Sequence, residues 1–173
     1  MAAKSFDRII RHYDRYHRRR IEDEGIWFRS RPTPRDAISW AARARGQGGK
    51  KLDHQWRLKN SDLVQAEAAL LDVEREIVGS KTFDELYDIL WRAVRHIWKN
   101  PELYCYDTAQ RIGAKLGLQP ERIYLHRGTR VGARRLGLNT RGATIEISAL
   151  PEGLRELDAS ALEDILCIYK DDF

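Results

Sequence analysis

The segment YLHRGTRVGARRLGL, from Tyr124 to Leu138, places four arginines around a corner marked by glycines. Arg130 and Arg134 are four residues apart, so they share one face of a helix, and Arg127 precedes the turn. A guanidinium group binds a phosphate through paired, charge-assisted hydrogen bonds. The spacing therefore favours a phosphate site. An exposed basic helix and salt bridges to acidic residues are the two alternatives.

Gly128 and Thr129 stand where this arginine-rich helix is expected to begin, with Thr129 as its N-cap. The first N–H groups of a helix have no partner within the helix and carry partial positive charge, so they attract anions. The arginines and these amides would converge on one anion. The predicted phosphate-binding residues here are Arg127, Gly128, Thr129, Arg130, Arg134 and Arg135.

A second basic segment, KKLDHQWRLKN, follows a glycine-rich loop. Aromatic and cationic side chains interleaved in this way can stack on bases and contact phosphates. We predict nucleic-acid contact for Lys50, Lys51 and Arg57. The alternative is that Trp56 anchors the loop to the core while the cations face water, and the sequence favours that role for Trp56 itself.

The segment ELYCYDTAQR contains a candidate catalytic carboxylate, Asp107, beside Tyr106. Helical projection places Asp107 away from the apolar face. Two histidines, His54 and His126, are the candidates that could join it in proton transfer, although either could be a structural hydrogen-bonding residue. The competing interpretation is an ordinary ion pair with Arg111, four residues later on the same helix.

The sequence predicts no metal site and no cofactor. Neither a CxxC nor an HExxH motif occurs, and the cysteines Cys105 and Cys167 stand far apart inside apolar patterns. Each cysteine is therefore predicted to be a small buried residue in a reducing compartment. Charges interrupt every apolar run near the N-terminus, which argues against a signal peptide or a membrane span, and we expect a cytoplasmic protein.

Positive charge is concentrated in the first third of the chain. Residues 1–60 contain 16 Lys or Arg against 7 Asp or Glu, whereas residues 61–173 contain 15 against 19. This asymmetry indicates a surface that faces a polyanion, and the absence of a lipid-seeking apolar face favours nucleic acid over membrane. Solvated helix faces are the alternative.

Apolar residues recur at helical spacing through most of the chain, which predicts a mostly α, single compact domain of six or seven helices. Residues 1–50 form a basic helical region with a glycine-rich loop, and residues 51–173 form the helical core, packed as one unit. At most a short strand is expected near residues 143–148, where ATIEIS alternates. The predicted helices lie near residues 5–24, 34–45, 61–78, 82–97, 102–116, 129–136 and 160–169.

The segments YDTAQRIGAKLGLQPERIYLHRGTRVGARRLGL and EDILCIYKD resemble small bacterial proteins of no established function, so this resemblance implies no activity. A looser resemblance is to helix-hairpin-helix DNA-binding modules, including those of base-excision glycosylases. LGLQP and RGTRVGA have their small residues but lack the glycine, apolar, glycine hairpin. This resemblance implies contact between helix-terminal amides and the DNA backbone.

The combined prediction is a protein that binds DNA or RNA through phosphate-backbone contacts of its Arg and Lys clusters. One alternative is a nucleic-acid-processing enzyme, such as a glycosylase or nuclease, that uses Asp107. The other is an interaction module whose basic half docks an acidic protein partner.

Overall fold

The computed structural model describes residues 6–52 and 55–173, and nearly all of their regular structure is helical. The chain separates into two compact units. Unit 1 combines Met1–Ile21 with Pro120–Phe173, and unit 2 comprises Glu22–Gln119. The sequence-based division is instead a basic helical region with a glycine-rich loop over residues 1–50 and a helical core over residues 51–173.

Unit 1 contains a two-stranded antiparallel sheet, and a helix lies between the two strands in the chain. Strand β1 (Ile123–Tyr124) pairs with β2 (Thr144–Ile145) so that Ile123 is opposite Ile145 and Tyr124 is opposite Thr144. Apolar side chains of both strands and of the helices form its core, which includes Phe6, Ile123, Leu125, Ile145, Leu150, Leu154, Leu162 and Leu166. The elements are α1 (Asp7–Tyr13), a π-helical turn (Asp14–Arg18), β1 (Ile123–Tyr124), α8 (Arg127–Arg135), β2 (Thr144–Ile145) and α9 (Ala159–Ile168). Short 3-10 turns at Ile147–Ala149 and Glu152–Leu154 precede α9.

Unit 2 is built from helices in its described part. Its fully buried side chains include Phe28, Ile38, Leu63, Leu70, Ile77, Leu86, Leu90 and Ile112. The chain passes from unit 1 to unit 2 within α2 (Arg19–Arg29). The remaining helices are α3 (Pro34–Ala42), α4 (Asn60–Asp72), α5 (Glu74–Gly79), α6 (Phe83–Val94) and α7 (Glu102–Leu116), with a 3-10 turn at Gln47–Gly49.

The predicted mostly α fold is confirmed. The one predicted helix over residues 61–78 is two helices, α4 and α5, which meet at Val73. The expected short strand near residues 143–148 is β2. No helix among residues 6–52 and 55–173 combines the length and apolarity that a membrane span needs.

Local capping signals explain where several helices begin. The Thr33 hydroxyl accepts a hydrogen bond from the Asp36 amide, and Asp36 Oδ2 accepts one from the Thr33 amide, which completes a capping box around Pro34. The last helix, predicted from residue 160, begins at Ala159, and Asp158 caps it by accepting from the Ala161 amide at 2.8 Å. Aspartate is among the preferred N-cap residues.

Candidate nucleic-acid interface

The arginine-rich helix α8 begins at Arg127, two residues earlier than the sequence indicates. His126 is its N-cap, with an extended backbone and a ring Nδ1 that accepts from the Gly128 amide at 3.2 Å. The prediction that Thr129 is the cap is therefore wrong. Thr129 is fully buried in the first turn of α8, where its hydroxyl donates a hydrogen bond to Glu163 of α9.

The inner face of α8 packs closely against α9. A Cβ added at Gly132 would lie 2.1 Å from the Leu166 carbonyl oxygen, which is far inside van der Waals contact. A Cβ at Gly128 would lie 2.5 Å from the sulfur of Cys167. The two glycines are one turn apart, so their lack of side chains sets the distance between the helices. Gly128, predicted to contact phosphate, is instead half-buried on this packed side.

A polar cluster lies between α8 and α9, and we call it the His126 cluster: His126, Thr129, Glu163 and Cys167. His126 Nε2 hydrogen-bonds Glu163 Oε1. The Thr129 hydroxyl donates to Glu163 Oε1 at 2.7 Å and lies 2.7 Å from His126 Nε2. His126 and Glu163 are 5% and 4% exposed, and Cys167 is half-buried.

The cluster raises the pKa of His126 to about 10. Burial lowers this pKa, but hydrogen bonds with Cys167 and Glu163 and the charge of the Glu163 carboxylate outweigh burial.

The outer face of α8 carries arginines that hold a loop. One guanidinium nitrogen of Arg130 donates to the carbonyl oxygens of Thr140 and Gly142, at 2.6 and 2.9 Å. Arg134 Nε donates to the Thr140 hydroxyl at 3.1 Å. These acceptors are neutral, so both side chains are positioned while their positive charge is retained.

Arg127 lies on the same helix as these arginines, and Arg141 lies in the loop that they hold. Arg127 is exposed and precedes Arg130 by three residues, which places both on the same side of α8. Arg141 is exposed within the loop that Arg130 and Arg134 hold. We call Arg127, Arg130, Arg134 and Arg141 the α8 arginine face. In the part of the chain that the structure describes, none of the four forms a salt bridge.

Arg135 differs from the α8 arginine face, although the sequence groups it with Arg130 and Arg134. Its guanidinium donates to the Lys170 carbonyl oxygen at 2.8 Å and lies 3.0 Å from an Asp171 carboxylate oxygen. Its charge is therefore compensated by an acidic partner.

Comparison with known proteins did not relate this chain to a known family. No protein-family model matches the chain, and neither the curated proteins nor the solved structures gave a significant match.

In the second predicted nucleic-acid site, the basic segment of unit 2, some side chains stabilise the loop itself. Lys51 Nζ donates to the Leu58 carbonyl oxygen and to Asn60 Oδ1, which closes the loop on itself. Lys50 is exposed. Trp56 is 62% exposed, so the expectation that it anchors the loop to the core is wrong. The Arg57 guanidinium lies 4.9 Å from its ring centre, in a cation–π contact.

The candidate catalytic carboxylate Asp107 is buried, contrary to the helical projection. Arg111 lies 3.9 Å away, as the spacing of four residues predicts, and it also bonds Glu24 at 2.7 Å and Gln55 at 2.8 Å. Asp107 is 8% exposed because the surroundings of α7 cover its polar side as well as its apolar side. Asp107 is therefore part of a buried ion-pair network.

The other candidate catalytic residues have separate structural surroundings. Tyr106 is buried, and its hydroxyl accepts from Gln110 at 2.7 Å. His126 belongs to the other unit, and His54 lies outside the described residues. A cavity of about 290 Å³ opens in unit 2 beside Trp98 and the buried Gln55.

Sequence reasoning missed Glu163 and Cys167. Their spacing could have indicated a shared site, because Glu163 and Cys167 are four residues apart and therefore lie on one face of the last predicted helix. Their partner His126 is 37 residues from Glu163 in the chain, and no local pattern connects the two. Arg141 was not predicted as a phosphate-binding residue because it lies beyond the helix. Its loop is held against α8 by the contacts of Arg130 and Arg134 with Thr140.

Proposed function

We propose that this protein binds DNA or RNA through phosphate-backbone contacts made by the α8 arginine face. The observation that carries the proposal is that three arginines share one side of α8 and a fourth lies in the loop that two of them hold, none with a carboxylate partner among the described residues. Guanidinium groups in this state are available for phosphate. Two carbonyl groups already hold the Arg130 side chain in the free protein. Binding a phosphate therefore costs less side-chain conformational entropy than it would for a mobile arginine.

The paired arginines elsewhere in the protein support this choice by contrast. Arg35, Arg92 and Arg135 each have a carboxylate within salt-bridge distance. A phosphate would have to compete with those carboxylates. The α8 arginine face has no such competitor in the described chain, so nucleic-acid binding there costs no broken ion pair. Backbone contacts of this kind are independent of base sequence.

The exposed arginines Arg127 and Arg134 are the residues to change. Arg127→Ala with Arg134→Ala removes two charges and leaves the Arg130 contacts with the loop intact. We expect the dissociation constant for labelled DNA or RNA, measured by fluorescence anisotropy near physiological salt, to rise about tenfold. Both single- and double-stranded probes should be titrated, because backbone contacts alone do not select between them.

The matched control is Arg35→Ala with Arg92→Ala, which removes the same net charge from two exposed, ion-paired arginines. This variant should bind nucleic acid nearly as the parent protein does. Equal weakening by both double variants would mean that net charge alone governs binding. A parent protein that binds neither DNA nor RNA, but retains an acidic protein, would support the interaction-module alternative instead.

The same incubations separate binding from processing when they are also resolved on denaturing gels. Intact strands fit the binding proposal, whereas cleaved or alkali-labile strands would favour the enzyme alternative. Asp107→Asn is then the informative variant. We also propose a cytoplasmic location, which the unpaired state of Cys105 and Cys167 supports.

A further inference from the structure

The His126 cluster brings together the three side-chain types that hold transition metals in proteins. One ligand atom each from His126, Glu163 and Cys167 lies within 4.8 Å of the other two. Imidazole, carboxylate and thiolate ligands bind Zn²⁺ at about 2.0 to 2.3 Å. A tetrahedral ion needs these atoms about 3 to 4 Å apart, so side-chain adjustments of about 1 Å bring the three ligand atoms onto one ion.

The backbone is shaped to bring the thiol to the imidazole. Glu163 and Cys167 are one turn apart on α9 and project toward α8, while His126 precedes α8. Gly128 leaves the space that the Cys167 sulfur occupies, since a Cβ there would lie 2.5 Å from it. The same added Cβ would lie 3.3 Å from His126 Cε1, so sulfur and ring share one glycine-lined gap.

Charge balance is compatible with a divalent ion in this position. The buried Glu163 carboxylate is compensated by the His126 imidazolium in the metal-free protein. A dication that displaces one proton from His126 and one from the Cys167 thiol, and binds the Glu163 carboxylate, leaves the net charge of the site at zero. The Thr129 hydroxyl, bonded to Glu163 and beside His126, orients two of the three ligands.

We propose that His126, Glu163 and Cys167 form a binding site for a single transition-metal dication of the Zn²⁺ class. The thiolate and the imidazole select against Mg²⁺ and Ca²⁺, which take oxygen ligands. Three protein ligands leave one position of a tetrahedral ion open for water or a further ligand.

The test uses the full-length protein, stripped with a chelator under reducing conditions and titrated with Co²⁺ and then with Zn²⁺. Co²⁺ replaces Zn²⁺ in such sites, and its thiolate complex absorbs in the near ultraviolet. We expect one Co²⁺ per chain, with a sulfur-to-cobalt absorption band that stoichiometric Zn²⁺ removes. Zn²⁺ should also raise the Tm of the parent protein, because an ion that binds only the folded state stabilises it.

The matched variants are Cys167→Ser and Cys105→Ser, the only two cysteines of the chain. Cys105 is fully buried in α7, and burial raises the pKa of its thiol to about 12, so it is the inert control. Cys167→Ser should lose the cobalt band and the Tm increase, and Cys105→Ser should keep both. Circular dichroism confirms that each variant folds.

Two results would overturn the metal site. One is the absence of stoichiometric Co²⁺ or Zn²⁺ binding at micromolar concentration by the folded parent protein. The other is a cobalt band or a Zn²⁺-dependent Tm increase that persists in folded Cys167→Ser. In either case the His126 cluster is a hydrogen-bonded network that joins α8 to α9. Neither result bears on nucleic-acid binding, which is measured with different residues.

Discussion

Arg111 in α7 and the α8 arginine face show two opposite uses of the same side chain. Arg111 is 7% exposed and has Glu24, Asp107 and Gln55 around its guanidinium. Arg130 and Arg134 instead donate to the carbonyl oxygens and the hydroxyl of a loop. Sequence spacing places an arginine on a helix face in both cases. The difference lies in the partners, because carboxylates neutralise an arginine whereas carbonyl and hydroxyl groups only position it.

This contrast indicates which arginines contribute to folding and which to binding. An arginine whose charge is neutralised inside a unit stabilises the fold, and its loss leaves buried carboxylates behind. An arginine held by neutral acceptors keeps its charge for a partner outside the chain. We therefore expect stability and nucleic-acid affinity to respond to different substitutions.

The largest effect on stability should follow Arg111→Met. Methionine keeps the aliphatic stem but leaves the buried Asp107 and the half-buried Glu24 without their cation, which we expect to cost about 3 kcal/mol in the free energy of unfolding. Urea denaturation monitored by circular dichroism measures this cost. Nucleic-acid affinity at low temperature, where the variant is still folded, should not change. Equal stability of variant and parent would show that the network is dispensable.

A smaller loss of stability should follow Gly132→Ala in α8. The added methyl group would lie 2.1 Å from the Leu166 carbonyl oxygen, so α8 and α9 must move apart, at a cost of about 2 kcal/mol. Helix propensity favours alanine by about 1 kcal/mol and reduces the net effect. Gly25→Ala in α2 is the control, because a methyl group there meets no atom within 4 Å. The control should be neutral or slightly stabilising, and destabilisation of both variants would exclude close packing as the cause.

The smallest effect on binding should follow Arg135→Ala. Arg135 pairs with Asp171, so its removal leaves the α8 arginine face unchanged, and we expect less than about a twofold change in the dissociation constant. Fluorescence anisotropy compares it with Arg134→Ala, the adjacent residue without a carboxylate partner in the described chain. If Arg135→Ala weakens binding as much as Arg134→Ala does, charge compensation does not distinguish the two arginines.

Local sequence signals predicted the helices well. The helices predicted near residues 34–45 and 82–97 are α3 and α6, and the hydroxyls of Thr33 and Thr82 cap them, since an N-cap depends on residues within one turn. The spacing of four residues correctly predicted the contact between Asp107 and Arg111.

Contacts between residues far apart in the chain could not be predicted from the sequence. Thr129 looks like an N-cap, but Glu163, 34 residues later, takes its hydroxyl into the interior. Glu24 and Gln55 hold Arg111 across 87 and 56 residues, which is why Asp107 appeared free for catalysis. In each case a side chain's role depends on a partner that tertiary packing supplies.

The salt dependence of nucleic-acid binding tests the central claim most directly. The slope of the logarithm of the binding constant against the logarithm of salt concentration counts the phosphates that the protein neutralises. For duplex DNA, Arg127→Ala with Arg134→Ala should reduce the magnitude of this slope by about two, and Arg35→Ala with Arg92→Ala should leave it unchanged. An unchanged slope in the folded Arg127 and Arg134 double variant would contradict the assignment of the α8 arginine face as the phosphate-binding surface.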